Sequence, residues 1–241
     1  MRRIIRVEFF CLVQVFCLLF LAGNAVAQSA SAENGIWNWT QPSDHHSAVV
    51  KVKTDAGAGS GVLVHVFRSR PVGNGYEGLV LTANHVVSDA KTIKVAYQNG
   101  KNAKDCTVVS VNEAVDVAFL RVWVPSNAKE VPLAKTQSRP GDTLEYCGYG
   151  GGVLLNQLRH FEATSDKPTN SNQIFAAVAL MSGDSGGPVF NSEGEVVGII
   201  SGGWFWFDGV TSKDGFRHNL TWPARACNLK PILKLVAELE R

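Results

Sequence analysis

From Ala48 onward the sequence is a succession of short segments rich in β-branched and aromatic residues, separated by Gly, Pro, Asn and Asp. No other feature restricts the fold so tightly, because such segments stack into antiparallel sheets and leave no room for long helices. Ala48-Val49-Val50-Lys51-Val52 reads as one strand, and Gly61–Phe67 as a second with β-branched residues at alternate positions. Thr92–Tyr97 is followed by Asn99-Gly100, a type I′ hairpin signal, and then by Thr107–Val111. Val115–Trp123 is a longer apolar run. A polar stretch from Pro125 to Pro140 then breaks the pattern and reads as a linker. Strand-like segments resume at Thr143–Gly148, Gln173–Val178, Pro188–Phe190, Val196–Ser201 and Phe216–Trp222. Only the tail differs: Leu229, Ile232, Leu233 and Val236 fall on one helical face, with Pro231 in the first turn. The expectation is two β-rich halves, residues 28–130 and 131–241, the second ending in a helix.

The N-terminus stands apart. Arg2, Arg3 and Arg6 precede an apolar stretch from Phe9 to Gly23, and Ala25-Val26-Ala27 matches the small-x-small pattern of a signal-peptidase site. Residues 1–27 therefore read as a cleaved signal peptide, placing the mature protein in the periplasm or outside the cell with no stable membrane association. Without them, 20 of the 23 basic and 20 of the 21 acidic residues remain. That neutral balance offers no footprint for nucleic acid. The mature chain keeps Cys106, Cys147 and Cys227, an odd number whose simplest reading is one disulfide and one thiol. None lies in CxxC spacing, and His45-His46 lacks a partner pattern and reads as a solvated pair, so no metal is expected.

Three local patterns carry chemistry. In Gly183-Asp184-Ser185-Gly186-Gly187-Pro188-Val189, glycines flank a serine on what must be a sharp turn, where nearby N–H groups could hold an oxyanion. Leu81-Thr82-Ala83-Asn84-His85-Val86-Val87 places a histidine after a strand, with Gly59-Ser60-Gly61 upstream. Val115-Asp116-Val117-Ala118-Phe119-Leu120 embeds a carboxylate in an apolar run, where it needs a partner. The order His, Asp, Ser has spacings of 31 and 69 residues.

Together these segments resemble the trypsin-like (chymotrypsin-fold) serine peptidases: the first matches their GDSGGP signature, the second T-A-x-H, the third D-x-A-x-L. The resemblance implies an all-β fold of two six-stranded antiparallel β-barrels with the active site in the cleft between them, plus a C-terminal helix. It implies Ser185 as nucleophile, His85 as general base, Asp116 as its orienting carboxylate, and the Gly183 and Ser185 N–H groups as the oxyanion hole. Ala179 and Leu180 would lie at the specificity pocket, where the lack of an acidic residue argues for an apolar preference over Arg or Lys. Ser201-Gly202-Gly203 would pair with a polypeptide substrate as an added strand. No cofactor is implied. An R-I-V-G-G-like activation segment is missing and Val86 follows the histidine in place of Cys, so the chain looks more similar to bacterial-type and Deg/Htr-like members, here without a PDZ domain. A binding module on a silenced protease fold is the alternative, against which all three triad residues stand.

Overall fold

The computed structural model describes residues 38–104, 106–150, 158–166, 172–177, 180, 183–203 and 223–239. Residues 1–27, read as a signal peptide, and the strand expected at Phe216–Trp222 lie outside them. No helix among the described residues is long and apolar enough to cross a membrane.

Seven strands form the first sheet: β2 (Val49–Thr54), β3 (Ala58–Val72), β4 (Gly75–Thr82), β5 (Ile93–Ala96), β6 (Asn102–Ala103), β7 (Thr107–Asn112) and β8 (Val117–Pro125). They run antiparallel in the order β6-β5-β2-β3-β4-β8-β7. Register shifts in β3 between Leu63 and His65, and again between Phe67 and Pro71, let this long strand bend so that the sheet curls. The second sheet contains β1 (Asn38–Trp39), β9 (Thr143–Gly148), β10 (Arg159–Asp166), β11 (Gln173–Ala177), β12 (Pro188–Phe190), β13 (Val196–Gly203) and β14 (Pro223–Asn228). Pairing of β9 with both β10 and β12 closes six of them into a barrel, and β1 lies along the outer edge of β10.

The second half is thus the expected six-stranded barrel, while the first is an open, seven-stranded curl. No ladder joins β6 to β7 among the described residues. β6 is two residues long, and the Cys106 N–H that could extend it donates instead to Ile93 of β5 at 3.3 Å. The Asn99-Gly100 turn also differs from expectation. Only Gly100 adopts a positive φ, +80°, and Tyr97 N–H bonds to Lys101, so the loop joins β5 to β6 rather than to β7. This is a turn ending in a left-handed glycine, not a type I′ pair.

Apolar side chains form one core that centres on the first sheet and reaches Phe190, Ile199 and the C-terminal helix, and a second inside the barrel. The C-terminal helix, Leu229–Leu239, packs on β7, β13 and β14 and buries Leu229, Pro231, Ile232 and Leu235. Its face is rotated from the expected one: Leu233 is 38% exposed and Leu235 takes its place. No disulfide forms. Cys106, Cys147 and Cys227 are separate buried thiols, the last two on strands that are not neighbours. Burial pushes Cys147 well up, and Cys227 up to about 12.

Candidate active site

His85 sits on a single helical turn, Asn84–Val87, that β4 delivers to the rim of the first sheet. Asp116 faces it from the end of a 3-10 turn, Glu113–Val115, one residue before β8. The carboxylate is therefore not inside a strand. Its φ of +59° makes it the one non-glycine left-handed residue among those described, a conformation Asp tolerates better than most. This twist aims both carboxylate oxygens at the histidine. His85 N–H donates to Oδ1 at 2.8 Å, Nδ1 lies 2.7 Å from Oδ2, and Ser201 Oγ donates to Oδ2 at 2.6 Å. A carboxylate accepts only, so Nδ1 carries a proton, which in the neutral imidazole leaves the lone pair on Nε2. Burial would raise the Asp116 pKa, but the bonds from His85 and Ser201 outweigh it and hold the group below the usual carboxylate range.

Ser185 lies on a turn that packs directly against β3 and β4. At Gly186, with φ +85°, a Cβ would come within 2.2 Å of the Ser60 carbonyl and Thr82 Oγ1. At Gly183, with φ +104°, it would meet the Tyr149 carbonyl at 2.6 Å. Only glycine fits either place. Ser60, singled out in the sequence only as part of Gly59-Ser60-Gly61, is the clamp of this turn. Its N–H donates to the Ser185 carbonyl at 2.7 Å, its Oγ donates to Gly183 O at 2.7 Å, and it accepts from Tyr149 N–H at 2.8 Å. Thr82 Oγ1 then donates to Ser60 O at 2.6 Å. The turn's Gly186 and Gly187 N–H groups bond to Ile200 and Asp184 carbonyls, whereas those of Gly183 and Ser185 donate to no group among the described residues. Ser185 Oγ makes no hydrogen bond to His85 among them, a common looseness without substrate.

A buried ion pair supports this turn from behind. Arg159 Nη1 of β10 lies 2.6 Å from Asp184 Oδ2, with side chains 4% and 1% exposed, and Gly150 N–H donates to Asp184 Oδ1 at 2.7 Å. Arg159 also lies over the Phe161 ring, 5.3 Å from its centroid. Asp184 thus has its counter-charge within the chain.

The model of the trypsin-like peptidase domain family matches residues 59–199, more than half of the sequence. The chain belongs to this family. Within it, the sequence is 32% identical over 151 residues to a probable periplasmic serine protease, Do/HhoA-like, of Haemophilus influenzae, spanning 59% of this chain and 30% of that one. It is 27% identical over 151 residues to the periplasmic pH-dependent serine endoprotease DegQ of Escherichia coli, again 59% and 30%. The chain spans about a third of the length of these relatives. A serine endoprotease from Yersinia pestis shares the fold at a TM-score of 0.58 and 21% identity, over 83% of this chain and 68% of that one.

The remaining site expectations of a trypsin-like domain divide. Ser201 turns its hydroxyl to Asp116, while Gly202 and Gly203 continue β13 beside β14, Gly202 with φ +140°. Leu180 is half-buried against the barrel core, and Ala179 lies outside the described residues. The expectation that His45-His46 is a solvated pair is overturned. His46 is 5% exposed, and the two Nε2 atoms lie 2.9 and 2.6 Å from Glu145 of β9. The partner pattern is absent from the local sequence because the partner stands about 100 residues downstream. Burial would raise the Glu145 pKa, but bonds from His46, Thr40 and His45 bring it down to about 2.

Proposed function

We propose that this chain is an exported serine endopeptidase working through His85, Asp116 and Ser185. The observation that carries the reading is the doubly bonded His85–Asp116 pair, which orients the imidazole with Nδ1 donating to the carboxylate. His85 Nε2 takes the Ser185 proton as Oγ attacks the scissile carbonyl, and the resulting oxyanion accepts from Gly183 and Ser185 N–H. His85 then gives the proton to the leaving amine, and water releases the acyl group by the same route in reverse. Asp116 stays ionised and stabilises the imidazolium. The Ser201–Gly203 edge pairs with the peptide backbone, and the pocket near Ala179 and Leu180 takes an apolar side chain. Activity needs no newly cut N-terminus, because Arg159 already supplies the charge that neutralises Asp184. Export rests on the N-terminal pattern and on the periplasmic relatives.

The test is fluorophosphonate labelling of the exported protein beside a Ser185→Ala control. Labelling confined to the wild type supports an activated Ser185. A folded wild type that takes no label and cleaves no peptide library would refute the proposal.

A further inference from the structure

Before entering the first sheet, the N-terminal segment crosses the second barrel. β1 pairs with β10 at Asn38↔Glu162 and Trp39↔Phe161, and the chain then passes through Thr40 and a 3-10 turn, Asp44–Ala48. This crossing brings two histidines of the segment against one carboxylate of β9 and one histidine of β10. His45 Nε2 lies 2.6 Å from Glu145 Oε2 and His46 Nε2 lies 2.9 Å from Oε1. His160 Nδ1 stands 3.9 Å from Oε1, and its ring tilts against that of His46 at 4.2 Å between centroids. Thr40 Oγ1 bonds to Glu145 Oε1 and lies 2.7 Å from His160 Nδ1. Three imidazoles thus gather at the Glu145 carboxylate, whose cross-strand neighbour on β10 is Glu162.

We propose that His45, His46 and Glu145 form a binding site for a divalent metal of the zinc class, with His160 at its margin. One ligand atom from each of the three lies within 4.8 Å of the others. Ligands about 2.0–2.1 Å from a tetrahedral ion stand roughly 3.3 Å apart, so the two His–Glu145 contacts must open by several tenths of an ångström while the remaining ligand atoms, within 4.8 Å, adjust around the ion. Imidazole nitrogen and carboxylate oxygen are the donors that zinc takes, and neither suits a soft, thiolate-seeking ion. Thr40 is placed to orient the carboxylate from behind, as supporting groups do at metal sites. A cleft of about 450 Å³, lined by Ser43, Asp44, His46, Lys129 and His160 among others, reaches the cluster at His46 and His160. It provides an entry path and space for a water as the remaining ligand.

His46 Nδ1 accepts from Ser43 N–H at 3.1 Å, which puts the ring proton on Nε2, facing Glu145. Metal binding displaces that proton to Nδ1 and gives up this one bond at an exposed helix cap. The ion then ties the segment at residues 40–46 to β9 of the barrel. It shares no residue with the His85, Asp116 and Ser185 set, so its role is structural, and it stands or falls independently of the proposed peptidase activity.

The experiment is calorimetric titration of chelator-stripped protein with Zn²⁺ alone. It is run also in His85→Ala, because His85–Asp116 is the other His–carboxylate pair among the described residues. The expected result is one equivalent bound in both, a rise in thermal midpoint, and a tetrahedral absorption signature when Co²⁺ replaces Zn²⁺. His45→Gln, at a half-buried position, and Glu145→Gln should each weaken binding about 100-fold or more. Should Glu145→Gln fail to fold, His45→Gln decides alone. Absence of stoichiometric binding at roughly 10 μM Zn²⁺, binding unchanged by His45→Gln, or binding lost only in His85→Ala each overturns the proposal.

Discussion

The two halves of the molecule bury different things. The first sheet packs apolar side chains almost throughout, from Val49 and Val52 on β2 to Phe119 and Leu120 on β8. The second barrel has an apolar core too, but it also buries Arg159 with Asp184 and Glu145 with His46. One half therefore gains stability from area removed from water, whereas the other depends on charges that are tolerable only while their partners stay in place. The rim of the first sheet carries His85 and Asp116, and the second barrel carries the Ser185 turn, braced by Arg159. A loss in the apolar half should be graded and thermodynamic. A loss in the charged half should reach the chemistry as well.

The sharpest test of that contrast is at the rim. Asp116→Asn should lower kcat about 10⁴-fold with only a small change in thermal midpoint, since the wrong histidine tautomer is favoured. An activity within about tenfold of wild type would remove Asp116 from the proposed mechanism. In the charged half, Arg159→Met leaves Asp184 buried without its counter-charge and should cost about 3–5 kcal/mol in denaturant unfolding. It should also depress fluorophosphonate labelling of the protein that remains folded. Adding Asp184→Asn should return much of the stability but not the labelling, and recovery of both together would mean that the pair does not position the serine turn.

The apolar half offers the control. Leu120→Ala should cost about 2–5 kcal/mol while kcat of the folded fraction stays near wild type. A parallel fall in kcat would erase the distinction between the halves. Ser60→Ala strips the clamp from Gly183 O and Tyr149 N–H, and should cost about 1–3 kcal/mol together with a measurable loss of kcat. The smallest effect is on pH dependence. Glu145 is held below its ordinary 4.5, at about 2, so its contribution is complete above the unfolded value and fades as pH falls from about 4.5 towards 2. Stability measured across that window should decline more steeply in the wild type than in Glu145→Gln, and equal slopes would show that the histidines do not hold the carboxylate down.

What could be read beforehand follows the same division. The strands of the first sheet announce themselves because their buried faces are apolar and alternate, as at Val49–Val52 and Gly61–Phe67. β10 escaped notice because Arg159, His160, Glu162 and Thr164 make it look like a polar loop. Arg159 becomes intelligible only when Asp184, 25 residues away, is seen to meet it. The serine turn was legible for the opposite reason. Its glycines answer to backbone conformation and contact with Ser60 and Thr82, demands so strict that they leave a fixed string in the chain.

The sequence by itself determined the β-rich architecture, the C-terminal helix, and the residues offered as base, carboxylate and nucleophile, because these depend on local periodicity and on positions where one residue type fits. Only the tertiary structure decided that the first sheet stays open, that three cysteines remain separate thiols, that Leu235 and not Leu233 faces the core, and that Ser60, Arg159 and Glu145 hold the site and the N-terminal segment together. Those outcomes turn on which side chains meet across 25 to 123 residues of chain, and a charged or polar residue gives no local sign of the partner that makes its burial possible.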